Sequence, residues 1–133
     1  MTPQRRTDTL IFDFDGVIAD TEPMYWRIWA EIVEPLGIRF TWDQYCQFGR
    51  GVPNARMLAK LRPLARNPST FFGLEEEFAI RKRIMRDLCV NEPPIAVATI
   101  EMLRSLKGYR LGLVTSSAES DVQPVLCAAG IRR

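Results

Sequence analysis

The chain contains no histidine among its 133 residues. This absence excludes several catalytic devices at once: the Ser-His-Asp and Cys-His nucleophile systems, the HExxH zinc site and a histidine general base. If the protein is an enzyme, carboxylates, hydroxyls or amines must supply the nucleophile and move the protons.

Cysteine is also scarce. The three cysteines, Cys46, Cys89 and Cys127, are far apart in the sequence and form no CxxC pair. An odd and dispersed set argues against a zinc site and against a disulfide framework. We therefore expect buried thiols in a reducing compartment.

The chain lacks both an excess of charge and a long apolar run. It has 18 basic and 16 acidic residues, a formal net charge of +2, whereas nucleic-acid-binding domains usually carry a strong basic excess. No apolar run approaches the ~20 residues that cross a bilayer. The run from Leu10 to Phe14 is too short for the core of a signal peptide. The sequence therefore predicts a cytoplasmic protein with no nucleic-acid or membrane partner.

The residues that are present predict an α/β fold. The segments Leu10–Phe14 and Tyr109–Val114 are short apolar runs, typical of strands buried on both faces of a parallel sheet. Helices are predicted from Pro23 to Gly37, from Trp42 behind a Thr41/Gln44 capping box, from Asn54 to about Leu64, from Glu75 to Cys89, from Ala96 to Lys107, and from between Glu119 and Asp121 to about Ala129. The last helix should hold Pro124 in its first turn, where proline is tolerated.

Five predicted helices lie between the two strands, and the stretch formed by the first four is too long for a simple crossover. We interpret residues 21–90 as a helical domain inserted into an α/β core made of residues 1–20 and 91–133. The fourth helix starts with acids and continues with bases, which suits the helix dipole. Its Glu77 and Arg81 form a favourable i,i+4 pair, and we expect this charged run to be a solvated face.

Two carboxylates at the end of the first strand are the main candidates for chemistry. Asp13 and Asp15 are two residues apart, so their side chains point the same way from an extended backbone. They lie at the carboxyl end of a predicted parallel strand, where open α/β sheets place their ligands. Carboxylates this close repel unless a proton or a hard cation such as Mg²⁺ resolves the charge. An aspartate can attack phosphorus, and a second carboxyl can move the proton.

A turn rich in hydroxyls follows the second strand. In a parallel sheet, Thr115, Ser116 and Ser117 should emerge at the same edge as Asp13, where hydroxyls and amides suit a phosphate. Alternatively, Ser116 caps the next helix, with Glu119 as its capping-box partner. The capping interpretation is the better one for the turn alone, and phosphate binding is the better one when the aspartate pair is considered with it.

The sequence resembles the haloacid dehalogenase superfamily. The segment Phe12–Val17, FDFDGV, with Asp20–Pro23, DTEP, after it, looks like the family's first motif, and Leu111–Ser117, LGLVTSS, looks like the second. More narrowly, the chain resembles phosphatases and phosphomutases of the phosphoglycolate phosphatase and β-phosphoglucomutase type. The resemblance implies a Rossmann-like parallel-sheet core, an inserted four-helix cap and a small phosphorylated metabolite as substrate.

The resemblance also implies roles for individual residues. Asp13 would be the nucleophile that becomes phosphorylated, and Asp15 the general acid and base. The Asp13 carboxylate and the Asp15 backbone carbonyl would hold Mg²⁺. Thr115 would hydrogen-bond the transferring phosphoryl group, with the Ser116 amide beside it. Arg50 would be a cap residue facing the substrate, although an exposed loop arginine is an equally good interpretation.

Two elements of the family pattern have no match in this chain. The family's third motif, a lysine, and its fourth, one or two acids, would follow the helix after the second motif, beyond Arg133. We therefore expect a C-terminally truncated member with an incomplete sheet and an uncovered hydrophobic edge. The alternatives left open are an Mg²⁺-dependent phosphatase, a phosphomutase, and a non-catalytic module that binds a partner or associates with itself through that edge.

Overall fold

A computed structural model describes residues 8–131, and for Leu74 only its backbone. The predictions made for residues 1–7, 132 and 133 concern residues outside this range. The described chain divides into two compact units. Residues 8–20 and 93–131 form an α/β unit, and Thr21–Glu92 form a helical unit.

The α/β unit is built on two parallel strands, as the sequence predicts. Strand β1, Thr9–Asp13, pairs with β2, Arg110–Val114, in a register that runs from Thr9 opposite Arg110 to Asp13 opposite Val114. Six α-helices are described: α1 Thr21–Val33, α2 Trp42–Phe48, α3 Asn54–Leu61, α4 Leu74–Asn91, α5 Val97–Ser105 and α6 Glu119–Ala128. None of these helices is long and apolar enough to cross a membrane.

The prediction that both strands are buried on both faces is wrong. Ile11 is 66% exposed and Val114 is 59% exposed. Within residues 8–131 the sheet has only two strands, so neither strand has a neighbour on its outer side. Side chains of α5 and α6, Leu103 and Leu126, line a cavity of about 210 Å³ together with Phe12. The apolar strand residues are thus only partly covered.

The helical unit is organised by local signals that the sequence predicts correctly. Thr41 is the N-cap of α2. Its hydroxyl oxygen accepts a hydrogen bond from the backbone N–H of Gln44, and Oε1 of the Gln44 side chain accepts one from the backbone N–H of Thr41. Helix α1 ends in a 3₁₀ turn, Glu34–Leu36, closed by Gly37 at φ +78°. Glycine suits this position because a left-handed backbone costs it nothing.

The charged face of α4 differs from the prediction. Glu77 and Arg81 form the expected i,i+4 ion pair, with 2.9 Å between Glu77 Oε1 and Arg81 Nε, but both side chains are buried, at 2% and 8% exposure. Helix α4 packs against α1 and α3, and this packing turns the face of Glu77 and Arg81 inward. The interpretation as a solvated face is therefore wrong for this pair.

The last helix starts within the predicted range, at Glu119. Pro124 is nevertheless not in the first turn: it is the sixth residue of α6 and lies inside the helix. Because proline has no amide hydrogen, α6 lacks the backbone hydrogen bond that this position would otherwise donate.

Candidate active site

Asp13 occupies the last position of β1 and is exposed. Its Oδ1 accepts a hydrogen bond of 2.8 Å from the amide of Phe14. The same amide lies 3.2 Å from the carbonyl oxygen of Val114, so the strand ladder continues one residue past Asp13. Phe14 is fully buried and anchors the backbone between the two aspartates.

A tight turn follows Phe14 and fixes the backbone of Asp15. The amides of Val17, Ile18 and Ala19 all donate to the Phe14 carbonyl, at 3.0 to 3.3 Å. Gly16 enters this turn at φ +76°, a conformation in which other residues are strained. The turn places Asp15 beside the end of β2.

The Asp15 side chain connects the two strand ends. Its Oδ2 accepts a hydrogen bond of 3.1 Å from the Thr115 hydroxyl and one of 2.7 Å from the Ser117 hydroxyl. The Ser117 amide donates to the Thr115 hydroxyl oxygen at 3.0 Å, which holds the turn together. Residues about 100 positions apart in the sequence thus meet at the carboxyl edge of the sheet.

Thr115 and Ser116, the two hydroxyl residues predicted to bind phosphate, differ in their surroundings. Thr115 contacts Asp15, as described, whereas Ser116 is exposed. The alternative in which Ser116 caps the helix is wrong, because the N-cap of α6 is Ala118, whose side chain makes no capping hydrogen bond. The sequence predicted Ser117 as part of the phosphate-binding turn but did not predict its hydrogen bond to Asp15. The signal for it was its place two residues after Thr115, which lets both hydroxyls reach one carboxylate.

Arg50 belongs to the helical unit. Its side chain is 57% exposed, and its Nε lies 3.8 Å from Oε2 of Glu22. Its guanidinium also lies over the Trp42 ring, 5.7 Å from the ring centroid. Arg50 is thus an exposed turn residue, as the second interpretation expects, with a carboxylate and an aromatic ring nearby. Its role towards a substrate stays a prediction.

The aspartate pair suits a hard divalent cation. Asp13 and Asp15 offer carboxylate and carbonyl oxygens, the donors that Mg²⁺ prefers, with no sulfur or imidazole among them. Within residues 8–131, no cluster of three acidic, cysteine or histidine side chains is assembled around a metal position. Mg²⁺ commonly keeps several waters and takes one or two carboxylates, so the residues present fit this ion.

Comparison with known proteins identifies a family and two similar proteins. A family model described as haloacid dehalogenase-like hydrolase matches residues 10–133. A phosphorylated carbohydrates phosphatase from Thermotoga maritima is 28% identical over 86% of this chain. An uncharacterised protein from Lacticaseibacillus casei is 30% identical over 93% of it. The chain spans about half the length of these two relatives, 52% and 57%.

Solved structures give the same fold. A Thermotoga maritima protein provisionally named a β-phosphoglucomutase superposes with a TM-score of 0.61 at 26% identity, over 91% of this chain and 55% of that one. A haloacid dehalogenase hydrolase of family IA from Entamoeba histolytica gives a TM-score of 0.60 at 16% identity, over 91% of this chain and 54% of that one. The second likeness concerns the fold alone.

Proposed function

Because the chain belongs to the haloacid dehalogenase-like hydrolase family, we propose that it carries the nucleophile and the proton-transfer residue of a phosphatase acting on small phosphorylated metabolites. The observation that carries this proposal is the position of Asp13 and Asp15 at the carboxyl edge of the sheet, with Asp15 bonded to the hydroxyls of Thr115 and Ser117. A phosphorylated carbohydrate is the substrate class that the name of one relative supports.

In the first proposed step, Asp13 attacks the phosphorus of a phosphomonoester. A bond forms between an Asp13 carboxylate oxygen and phosphorus, and the bond from phosphorus to the ester oxygen breaks. Asp15 gives its proton to the departing alkoxide, so a neutral alcohol leaves. Asp13 is suited to attack because it is exposed at the strand end, with Oδ1 oriented by the Phe14 amide.

In the second step, Asp15 takes a proton from water as the water oxygen attacks the aspartyl phosphate. Inorganic phosphate leaves and the Asp13 carboxylate is restored. The Thr115 and Ser117 hydroxyls keep Asp15 in one orientation through both proton transfers. Mg²⁺, held by the Asp13 carboxylate and the Asp15 carbonyl, would supply positive charge that offsets the charge of the phosphate oxygens.

Phosphate binding is assigned to the turn after β2. The Ser116 amide and hydroxyl suit a phosphoryl oxygen, since Ser116 is exposed at this turn. The hydroxyl proton of Thr115 is directed at Asp15, so a Thr115 bond to phosphate requires this hydroxyl to rotate. Arg50 would bind an anionic part of the substrate from the helical unit, and this unit would act as the cap.

The test is Mg²⁺-dependent release of phosphate from a generic phosphomonoester, using the protein at the length that its gene encodes. We expect Asp13→Asn to abolish release, because an amide is a far weaker nucleophile. Asp87→Asn makes the same chemical change at an exposed position on α4 and should leave the rate unchanged. Turnover that survives Asp13→Asn would show that the nucleophile is assigned wrongly.

A phosphomutase is the second catalytic candidate, because one similar structure carries a β-phosphoglucomutase name. The same aspartyl phosphate would then pass its phosphoryl group to a sugar hydroxyl instead of to water. Supplying a sugar 1-phosphate with a trace of the bisphosphate distinguishes the two reactions. A phosphatase releases inorganic phosphate, whereas a mutase yields the isomeric sugar phosphate.

A non-catalytic module is the third candidate, and the exposed apolar residues of the sheet favour it. Ile11, Leu111 and Val114 are 66%, 46% and 59% exposed, and uncovered strand edges tend to pair with other chains. Sedimentation of the chain tests this function. A folded oligomer without phosphatase activity would support it, whereas a monomer with Mg²⁺-dependent turnover would exclude it.

A further inference from the structure

Four side chains of the helical unit form one connected group, here called the Arg50 cluster: Arg50, Glu22, Trp42 and Tyr45. The Tyr45 hydroxyl donates a hydrogen bond of 2.9 Å to Oε2 of Glu22. The same Glu22 oxygen lies 3.8 Å from Arg50 Nε. The rings of Trp42 and Tyr45 stack with 5.6 Å between centroids and 24° between planes.

Glu22 is shared between a neutral donor and a cation. Tyr45 is 3% exposed. Burial, followed by the Glu22 carboxylate, raises the pKa of the phenol far above its ordinary value, so Tyr45 stays protonated and donates. The Tyr45–Glu22 bond of 2.9 Å is shorter than the 3.8 Å between Glu22 and Arg50, so this carboxylate oxygen is in hydrogen-bond contact with the phenol and not with the guanidinium Nε.

Arg50 is consequently oriented but only weakly neutralised. Its guanidinium lies over Trp42, which limits the number of side-chain conformations. In the described part of the chain, Glu22 is the one carboxylate recorded within ion-pair distance of it. A planar guanidinium with a distant counter-charge is a good donor to a phosphate group, which accepts two parallel N–H bonds.

We propose that Tyr45 controls phosphate binding by Arg50, by restraining the Glu22 carboxylate that would otherwise compete for the guanidinium. The inference rests on the proposed function, in which Arg50 binds an anionic part of the substrate. It makes Tyr45 and Glu22 positioning residues with opposite effects. Loss of the Tyr45 hydroxyl lets Glu22 close on Arg50, whereas loss of the Glu22 charge removes the competitor.

The experiment is a titration with inorganic phosphate in the absence of Mg²⁺, followed by tryptophan fluorescence, because Trp42 contacts Arg50. Each variant is made in the protein at its gene-encoded length, on an Asp13→Asn background that removes the nucleophile. Shortening the 3.8 Å ion pair to about 2.9 Å at an effective dielectric of about 20 corresponds to about tenfold in affinity. This is an upper limit, because solvent screens an exposed pair. We therefore expect Tyr45→Phe to weaken phosphate binding about threefold to tenfold and Glu22→Gln to tighten it.

The double variant gives the sharpest result. Tyr45→Phe combined with Glu22→Gln should bind phosphate like Glu22→Gln alone, because no carboxylate remains for Tyr45 to restrain. Arg50→Ala should lose the fluorescence response, and Arg56→Ala, an exposed arginine on α3, should keep it. If circular dichroism shows that Tyr45→Phe does not fold, the Glu22→Gln variant tests the inference alone: tighter phosphate binding supports it and weaker binding contradicts it.

Two results would overturn the inference. Weaker binding in Glu22→Gln would mean that Glu22 supports Arg50 and does not compete with it. Unchanged binding in Arg50→Ala would mean that this arginine binds no phosphate. Neither result contradicts the proposed phosphatase activity, which is tested separately. That activity is supported if Asp13→Asn abolishes turnover and Asp87→Asn does not. If instead no phosphatase activity is found, but Tyr45→Phe weakens phosphate binding and Glu22→Gln tightens it, the proposed phosphatase is wrong and the Arg50 cluster is still a phosphate-binding site.

Discussion

Removing one partner of the buried Glu77–Arg81 pair should destabilise the protein strongly. At 2.9 Å and an effective dielectric of about 20, the Coulomb attraction is about 6 kcal/mol. Much of this is cancelled because both side chains are withdrawn from water, at 2% and 8% exposure. In Glu77→Ala, however, the buried Arg81 charge loses the Glu77 carboxylate. We expect a loss of about 3–5 kcal/mol in the free energy of unfolding.

The assay is urea unfolding followed by far-UV circular dichroism. With a slope of about 1.5 kcal/mol per molar urea, a loss of 3 kcal/mol lowers the midpoint by about 2 M. Glu77→Gln provides a variant of nearly unchanged volume, which separates the loss of charge from the cavity left by alanine. Replacing both partners, Glu77→Leu with Arg81→Met, should restore most of the stability because no unpaired charge remains.

A surface ion pair provides the matched control. Arg27 and Glu92 form an ion pair with side chains 38% and 64% exposed, so Glu92→Ala should cost less than about 1 kcal/mol. If Glu77→Ala shifts the midpoint no more than Glu92→Ala does, the reasoning fails. Water then solvates the Glu77 and Arg81 charges in solution, and their burial has no energetic consequence.

Three further perturbations have defined outcomes. Gly16→Ala should destabilise the protein by about 1–2 kcal/mol, measured by thermal unfolding. The cause is backbone strain at φ +76° and not a steric clash, because a Cβ at Gly16 would meet no atom within 4 Å. Thr41→Ala should lower the free energy of unfolding by about 1 kcal/mol, because the capping box of α2 is lost. Faster exchange of the α2 amide hydrogens would show the accompanying loss of helicity. Burial raises the pKa of Cys89 to about 11. Iodoacetamide at pH 8 should therefore label exposed Cys46 and Cys127 well before Cys89, by mass spectrometry. Equal labelling would contradict its burial.

Local features of the chain were predictable from sequence. The T-x-x-Q pattern located the start of α2 at Trp42, and the structure confirms both the start and the reciprocal bonds of the box. The two apolar runs predicted strands within one residue of their observed bounds, and their parallel pairing is confirmed. These features depend on a few consecutive residues, whose hydrogen bonds and backbone preferences are readable without knowledge of the rest of the fold.

Burial was harder to predict. The apolar composition of β1 indicated a strand covered on both sides, yet Ile11 is exposed. The charges of Glu77 and Arg81 indicated a solvated face, yet both are buried. Composition reports what a side chain prefers, whereas its burial depends on which other elements pack against it.

The chemical character of the candidate site follows from the amino-acid sequence alone. It supplied two aspartates at a strand end, hydroxyls after the second strand and no histidine. The partners of these side chains depend on the tertiary structure: Asp15 accepts hydrogen bonds from the hydroxyls of Thr115 and Ser117, and Glu22 accepts one from the Tyr45 hydroxyl. These contacts join residues far apart along the chain, so the packing of whole elements selects them and no local periodicity specifies them.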